Sequence, residues 1–501
     1  MAERELTSPI DLPTSERQPR LSARPVISDL APRLAALRGK DEIAPGLLDD
    51  LKVFLERASD EELFRMSPLR YAAAHQIPEQ QAIDLFLHAT HAGILEFAWG
   101  VLCPGCMAFL TTPGGLRGIQ KKRCQLCNLN TGMSVDDRVE VAFTVAPSVR
   151  RIRFHDPERL DLGKDAIRLY FSSSVASTSE PHRLLLERLM ASGRASPGGP
   201  HEVRATFEEG HSVLLTPTSH TAVFFHAKAD PELPQTVTLE LLDGYAIPSS
   251  VEVPVGPVVL RLMNRAADPV GFVLTPVGTC WPKAAGPGER LTHPVDPYLT
   301  GSRLVSSQVF RDLFRAESIP SEGGLELKGV TVLFTDLKGS TAIYERVGDL
   351  RAYDLVRRHF VLLRTIAAAR GGAIVKTIGD AVMASFDDPA AAIGAAVEMH
   401  REIQRVGEGE LLLKIGLHSG PCIAVDFNDR LDYFGRTVNI AARVQGVAGA
   451  GEIVCTEPVF EALGVGEALA GQGYIEERSS VPLKGIVGDV PVIRLRPAPP
   501  A

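Results

Sequence analysis

Three short segments in the last third of the sequence carry residues that could do phosphate and metal chemistry. In GVTVLFTDLKGST, Val330, Val332 and Phe334 alternate into a strand that ends at Asp336. The residues that follow, Lys338-Gly339-Ser340-Thr341, are small or basic and open a helix. A carboxylate at a strand end, beside helix N–H groups with no intrahelical partner, suits a metal and a phosphate together. A plain strand followed by a capped helix uses the same residue types. In AIVKTIGDAVMASF two β-rich runs flank Gly379-Asp380, which reads as a tight hairpin. Asp380 is a turn-former by type, yet it stands four residues after Lys376 on an otherwise apolar strand. A second carboxylate near Asp336 would complete a two-cation site, able to activate a hydroxyl and neutralise a leaving pyrophosphate. In RLDYFGRTVNIAARVQ, Gly435 precedes a helix whose Val438, Ala441 and Ala442 face inward. Asn439 and Arg443 are four apart and share one face. A guanidinium there holds phosphoryl oxygens bidentately and an amide beside it positions a sugar. An isolated Asn/Arg pair also fits a solvated helix face.

A second constellation lies far upstream. Cys103-Pro-Gly-Cys106 and Cys124-Gln-Leu-Cys127 are two C-x-x-C pairs separated by 17 residues. In a reducing compartment that spacing fits four thiolates around a tetrahedral, structural Zn²⁺, with iron–sulfur as the other chemistry the same ligands allow. Cys280, Cys422 and Cys455 lie in or beside apolar runs and read as packing residues. His220 and His226 are an even number apart, so a single strand would put them on one face. With no acidic partner nearby they read as ordinary strand histidines.

Taken together, FTDLKGST, KTIGDAVMASF and DYFGRTVNIAARV resemble the class III adenylyl and guanylyl cyclase family, in order and spacing, over about residues 326–496. The resemblance implies a ferredoxin-like α/β (α+β) fold and a set of roles. Asp336 and Asp380 would hold two Mg²⁺ or Mn²⁺ ions, with the Leu337 backbone beside them. Lys376 and Asp432 would specify the purine, Asn439 would orient the ribose and Arg443 would stabilise the transition state. Lys484 would bind phosphate, and the backbone through Gly339, Ser340 and Thr341 would cradle the phosphates. Lysine donates only and ionised aspartate accepts only, which complements N1 and the C6 amine of adenine and mismatches guanine. The implied reaction is conversion of ATP to 3′,5′-cyclic AMP and pyrophosphate. Guanylate cyclase, and a catalytically silent nucleotide-binding signalling module, are the other readings. In this family the metal aspartates of one subunit face the purine and transition-state residues of another, so a homodimer with shared sites is expected.

The rest of the chain must position this domain and control it. Its 501 residues suggest about two to four domains. The net charge of −8 argues against broad binding to nucleic acid or anionic membranes. No apolar run approaches the ~20 residues of a bilayer crossing, and the polar N-terminus is unlike a signal peptide, so a cytoplasmic protein is expected. Six parts are expected: a disordered tail (1–40), a helical, winged-helix-like module (41–100), a zinc knuckle or ribbon (101–137), a β-rich sandwich or barrel (138–285), a linker with a transmission helix (286–325), and the catalytic domain (326–497). Helices are expected near DDLKVFLERA, EELFRMSPLRYAAAHQ and EQQAIDLFLHATHAG, with Gly93 as a stop. From Asp60 to Glu96 six acidic residues face Arg65 and Arg70, a poor DNA-binding surface. In the β-rich block Val237, Leu239 and Leu241 alternate, and one helix, EPHRLLLERLMASG, interrupts the strands. Val305, Val309 and Leu313, with Phe310 and Phe314 beside them, read as a single amphipathic helix over 303–317 that runs into the catalytic domain. The block 41–285 resembles an N-terminal region of unnamed function found ahead of soluble bacterial cyclase domains, which gives an architecture but no ligand. The most economical role is regulatory, a sensor or dimerisation module coupled through the 303–317 helix.

Overall fold

The computed structural model describes residues 29–38, 43–103, 105–112, 124–126, 138–176, 188–276, 296–314, 325–338, 345, 348–406, 412–427 and 430–498. The remainder of the expected tail, Cys127, Cys280 and the Gly339–Ser340–Thr341 segment lie outside these residues.

Four helices open the chain: α1 (Leu30–Leu37), α2 (Pro45–Arg57), α3 (Pro68–His75) and α4 (Glu79–His91). The first lies in the stretch expected to be a tail. Its Leu30, Leu34 and Leu37 recur at helical spacing and are buried. The helix expected through EELFRMSPLRYAAAHQ forms only from Pro68. The residue before a proline is kept out of helical geometry, and Ser67 instead caps the helix, accepting from Arg70 N–H. Strands β1 (Leu95–Leu102), β2 (Phe109–Thr111) and β3 (Val139–Val145) make an antiparallel sheet in the order β2-β1-β3. Thus the first strand of the block read as all-β pairs back onto the helical module. After it comes α5 (Leu162–Tyr170).

Nine strands follow: β4 (Ala191–Ala195), β5 (Pro200–Phe207), β6 (Gly210–Thr216), β7 (Thr221–Lys228), β8 (Thr236–Leu242), β9 (Tyr245–Ile247), β10 (Ser250–Pro254), β11 (Gly256–Asn264) and β12 (Val270–Pro276). They form two sheets, β10-β7-β6-β12-β4 and β5-β11-β8-β9, around one apolar core. This is an open sandwich; among the described residues no barrel closes. Val237, Leu239 and Leu241 all point into the core, as their alternation requires. The last residues of the expected helix EPHRLLLERLMASG are strand β4, paired with β12; residues 177–187 are outside the described set. His220 is not in the strand with His226. It stands in the preceding turn at φ 52°, while His226 stacks on His211 at 4.4 Å.

The expected transmission helix is two short ones, α6 (Gly301–Val305) and α7 (Gln308–Leu313). Ser307 breaks it, because its hydroxyl caps α7 by accepting from Phe310 N–H at 3.4 Å.

The last domain is built on one sheet, in the order β14-β15-β13-β16-β18-β20-β19 with β17 paired to β16. Its strands are β13 (Leu325–Leu337), β14 (Ala373–Ile378), β15 (Ala381–Phe386), β16 (Leu413–Asp426), β17 (Leu431–Phe434), β18 (Ile453–Thr456), β19 (Tyr474–Pro482) and β20 (Asp489–Pro497). Helices α8 (Asp349–Ala369) and α9 (Pro389–Val406) cover one face; α10 (Arg436–Gly446) lies on the other. Alternation along β13 divides its side chains between two cores. Leu333 and Leu337 pack with α8 and α9. Val330, Val332 and Phe334 join a cluster that continues through Phe310 to the N-terminal helices.

Candidate active site

The sheet brings the predicted residues to its edges and strand ends. Asp336 is the penultimate residue of β13 and pairs in register with Lys414 of β16. Gly379 and Asp380 form the two-residue turn between β14 and β15. Gly379 has φ 65°, which a side chain would strain and which the first central position of such a turn requires. The two aspartates face each other. Burial first, and then the Asp380 charge, hold the Asp336 carboxyl above the usual carboxylate range, against Lys414, whose Nζ is 3.9 Å away, and Gln445. Asp380 Oδ2 is buried and has no hydrogen-bond partner among the described residues. A pair of mutually repelling carboxylates with an orphaned buried oxygen is a donor set that fits divalent cations. Beneath it lies His359 of α8, buried and pushed down to about 4, chiefly by burial, so that it adds no charge at neutral pH.

On the neighbouring edge, Lys376 of β14 and Asp432 of β17 meet at 2.6 Å between Nζ and Oδ2. The Asp432 side chain is 11% exposed, and its Oδ1 accepts from Tyr433 N–H at 2.8 Å. Among the described residues no hydrogen bond or ion pair joins this pair to Asp336 and Asp380.

Helix α10 buries Thr437, Ile440, Ala441 and Val444, leaving Val438 and Ala442 half-buried. Asn439 and Arg443 are both exposed on the opposite face. The helix approaches β16 closely at Gly416, where any Cβ would lie 2.1 Å from the Gln445 backbone nitrogen. Gly416 thus sets how near α10 comes to Asp336. Lys484 is exposed beyond β19. Leu337 is buried and ends its strand against Leu413.

Residues that the sequence reading did not single out complete the site. Lys414 and Gln445 reach Asp336 only through sheet register and helix packing. Gln308 and Arg311 of α7 hold the strands that carry Lys376 and Asp432: the Gln308 side-chain oxygen accepts from Ile374 N–H at 2.7 Å, and Arg311 Nη1 donates to the Leu431 carbonyl at 2.8 Å.

The cysteine cluster is separate. Cys103, Cys106 and Cys124 are buried, with their sulfurs within 4.8 Å of one another and Cys106 Sγ 3.7 Å from Cys124 Sγ. Cys422 and Cys455 are buried in cores, as their apolar surroundings suggested, and burial pushes the Cys455 thiol up to about 12.

No helix among the described residues is long and apolar enough to cross a membrane. Residues 325–493 match the adenylate and guanylate cyclase catalytic domain, and residues 27–312 match a family of unknown function, DUF5939. A receptor-type adenylate cyclase of Trypanosoma equiperdum is 28% identical over 211 residues, 34% of this chain and 44% of the relative. A pH-sensitive adenylate cyclase of Mycobacterium tuberculosis is 34% identical over 183 residues, 36% of this chain and 43% of the relative. The chain thus spans less than half the length of these two relatives. The crystal structure of the adenylyl cyclase CyaB from P. aeruginosa aligns over 34% of this chain and 95% of its own at 25% identity, with a TM-score of 0.30. Over more than half of its length the chain belongs to that family of unknown function, and behind it the chain carries a catalytic domain of the class III nucleotide cyclases.

Proposed function

We propose that the chain is an adenylate cyclase, forming 3′,5′-cyclic AMP and pyrophosphate from ATP in a homodimer. The observation that carries the choice of base is the contact of Lys376 with Asp432: one obligate donor and one obligate acceptor, held 2.6 Å apart on a sheet edge. Adenine inserted between them accepts at N1 from Lys376 and donates its C6 amine to Asp432. Both charges then stay satisfied after they release each other. Guanine in the same pose sets donor against donor and acceptor against acceptor, at roughly 1–3 kcal/mol for each unsatisfied group.

Asp336 and Asp380 would hold two divalent cations, Mg²⁺ or Mn²⁺, which when bound acidify the ribose 3′-hydroxyl and neutralise phosphate charge. Asn439 orients the ribose for in-line attack of its 3′-oxygen on the α-phosphorus. Arg443, one turn along the same exposed face, meets the charge that develops on the phosphoryl oxygens. Lys484 and the backbone after Leu337, through Gly339, Ser340 and Thr341, bind the departing phosphates. Within one chain no hydrogen bond or ion pair among the described residues joins the carboxylate pair to the base-reading pair, which supports a site completed by Lys376 and Asp432 of the partner subunit.

Zn²⁺ held by Cys103, Cys106, Cys124 and Cys127 is part of the same reading. Tetrahedral Zn–S bonds of about 2.3 Å set sulfurs about 3.8 Å apart, close to the 3.7 Å between Cys106 and Cys124. Reduced thiolates accord with a cytoplasmic location.

The test is the purified chain with Mn²⁺ and either ATP or GTP, with the cyclic product identified by mass. Cyclic AMP from ATP, with GTP turned over at least about tenfold less efficiently, is expected from the mismatch above. Equal turnover of both nucleotides would refute the base-reading argument, and no product from either would leave a nucleotide-binding module.

A further inference from the structure

Between α2, α3 and α5 lies a cavity of about 340 Å³ that takes no part in the nucleotide chemistry. Three guanidinium groups line it: Arg65, Arg70 and Arg168. Among the described residues none of the three has a carboxylate at ion-pair distance, whereas Arg150 and Arg153 nearby do. Their hydrogen bonds go to neutral oxygens. Arg65 donates to the carbonyls of Arg168 and Leu169 at 3.5 and 3.3 Å, and Arg168 donates to the Glu61 carbonyl at 3.0 Å. Arg70 donates to the carbonyl and hydroxyl of Ser173 at 3.3 and 2.5 Å. A guanidinium carries five N–H donors, so each keeps some to offer. Burial lowers Arg65 to about 10; burial, and then the Arg70 and Arg153 charges acting against Glu61, lower Arg168. The Arg70 charge repels Arg168 across the cavity. The carboxylates at the rim are engaged elsewhere. Glu61 pairs with Arg153 at 2.6 Å, and Glu62 accepts from Ser59 N–H at 2.7 Å. Glu140, whose charge acts on Arg65 and Arg70, is buried, and burial raises its carboxyl above the usual carboxylate range against the Ser172 hydroxyl and the two arginines.

The remaining wall is aromatic. Tyr71 stacks on His75 at 4.0 Å and meets Phe54 and Phe86 edge-on at 5.3 and 5.1 Å. It is only 6% exposed, yet its hydroxyl has no hydrogen-bond partner among the described residues. A buried hydroxyl left so is destabilising. Arg65 is also held at φ 51°, a conformation that strains a residue with a Cβ. Arg65 also lies over the Phe64 and Phe109 rings at 5.1 and 4.1 Å, and the charges of Glu140 and Glu61 act on Arg65 and Arg168 without an ion pair among the described residues. Guanidinium groups with spare donors, aromatic side chains and a hydroxyl with no partner among the described residues, all around one open volume, describe a ligand site better than a core. Guanidinium forks match phosphate oxygens, and an aromatic wall matches a planar ring.

We propose that this cavity binds a small organic anion built on a planar ring, of the size and class of a nucleoside monophosphate. The site lies outside the catalytic domain and does not depend on the cyclase reading. Its occupancy has a route to the junction, because Phe86 lines it from α4 and the same helix sets His91 against Phe314 at 5.9 Å.

The test uses the full chain without divalent cations and carrying Asp432→Ala, so that the catalytic nucleotide site is disabled. Calorimetric titrations with 5′-AMP, adenosine and inorganic phosphate are compared. AMP is expected to bind one site per chain, at least about tenfold more tightly than either fragment, since it alone makes both sets of contacts. Arg168→Met and Tyr71→Phe should each weaken AMP about tenfold. Tyr71→Phe should leave the melting temperature of the ligand-free chain unchanged or higher, because the hydroxyl it removes had no partner. Binding of AMP weaker than ~1 mM, phosphate binding as tightly as AMP, or unchanged AMP affinity in Arg168→Met and Tyr71→Phe would each overturn the proposal.

Discussion

Replacing Lys376 by methionine tests base recognition most directly. The side chain keeps its length and apolar stem and loses only the ammonium. Asp432 stays in place, since its other oxygen accepts from Tyr433 N–H at 2.8 Å. The fold should hardly notice: the Lys376 side chain is 41% exposed, and ion pairs that wet are worth about 0–1 kcal/mol after screening. Turnover should respond more strongly. A hydrogen bond from a charged donor to N1 of adenine is worth about 1.5–3 kcal/mol, which at 1.36 kcal/mol per decade is roughly a 10- to 150-fold fall in kcat/KM for ATP. For GTP the ammonium would face the N1–H of guanine, so losing it should leave kcat/KM unchanged or raised. Steady-state kinetics with both nucleotides and Mn²⁺, each cyclic product quantified, give the two ratios. A parallel fall for ATP and GTP would refute the argument, since Lys376 would then be acting on phosphate or on the fold. So would an unchanged value for ATP.

Asp336→Ala and Arg443→Ala chains should each be inactive, and mixing them under subunit exchange should restore part of the activity through one intact hybrid site; no recovery would rule out sites shared between subunits. His400 is 3% exposed, lies 3.2 Å from both the Leu413 carbonyl and the Tyr474 hydroxyl, and is pushed down to about 4, chiefly by burial. Its folded pKa lies below the unfolded value of about 6.5, so its contribution to stability is present above pH 6.5 and is lost as pH falls toward 4, by about 2 kcal/mol between pH 7 and 5. In urea unfolding, His400→Gln should flatten that pH dependence, and an unchanged slope would show that the ring is not held neutral. Metal analysis of the purified chain should find about one zinc per chain, lost together with thermal stability in Cys106→Ser. Finding neither zinc nor iron would remove the thiolate site.

Local patterns carried much of the catalytic domain in the sequence. The alternation of Val330, Val332 and Phe334 and the Gly379-Asp380 turn depend on neighbours within a few residues, and they read directly. Lys414 and Gln445 could not be found that way, because each meets Asp336 only through β16 register and the close approach at Gly416. The broken helix at Ser307 shows a different limit. The apolar spacing of Val305, Val309 and Leu313 is helical, but a serine that can cap the following turn offers the backbone a competing hydrogen bond. Strand β3 was placed with the later strands because its composition resembles theirs; its partner is β1, across the cysteine segment. The helix α1 was hidden by the polar, Pro- and Arg-rich stretch before it, although its own three leucines are spaced for burial.

The junction fixes which half of the active site the N-terminal module can reach. Helix α7 touches both strands that carry Lys376 and Asp432, the proposed base-reading pair. Gln308 holds β14 two residues before Lys376, and Arg311 holds β17 one residue before Asp432 while lying over the Tyr433 ring at 5.0 Å. A contact of 2.6 Å between two side chains on different strands survives only while those strands keep their spacing. A shift of α7 by a fraction of an ångström therefore bears first on Lys376 and Asp432. From the other side, Phe97 of β1 packs on Phe310 and Phe314 at 6.2 and 5.0 Å, within an apolar cluster that is continuous back to α1. Close-packed interiors pass such displacements on rather than absorbing them. Asp336 and Asp380 are anchored differently, by β16, α10 and the α8 side of the sheet. A signal that enters through the N-terminal module should thus alter the KM for nucleotide, and the preference between bases, before it alters the dependence on divalent cations.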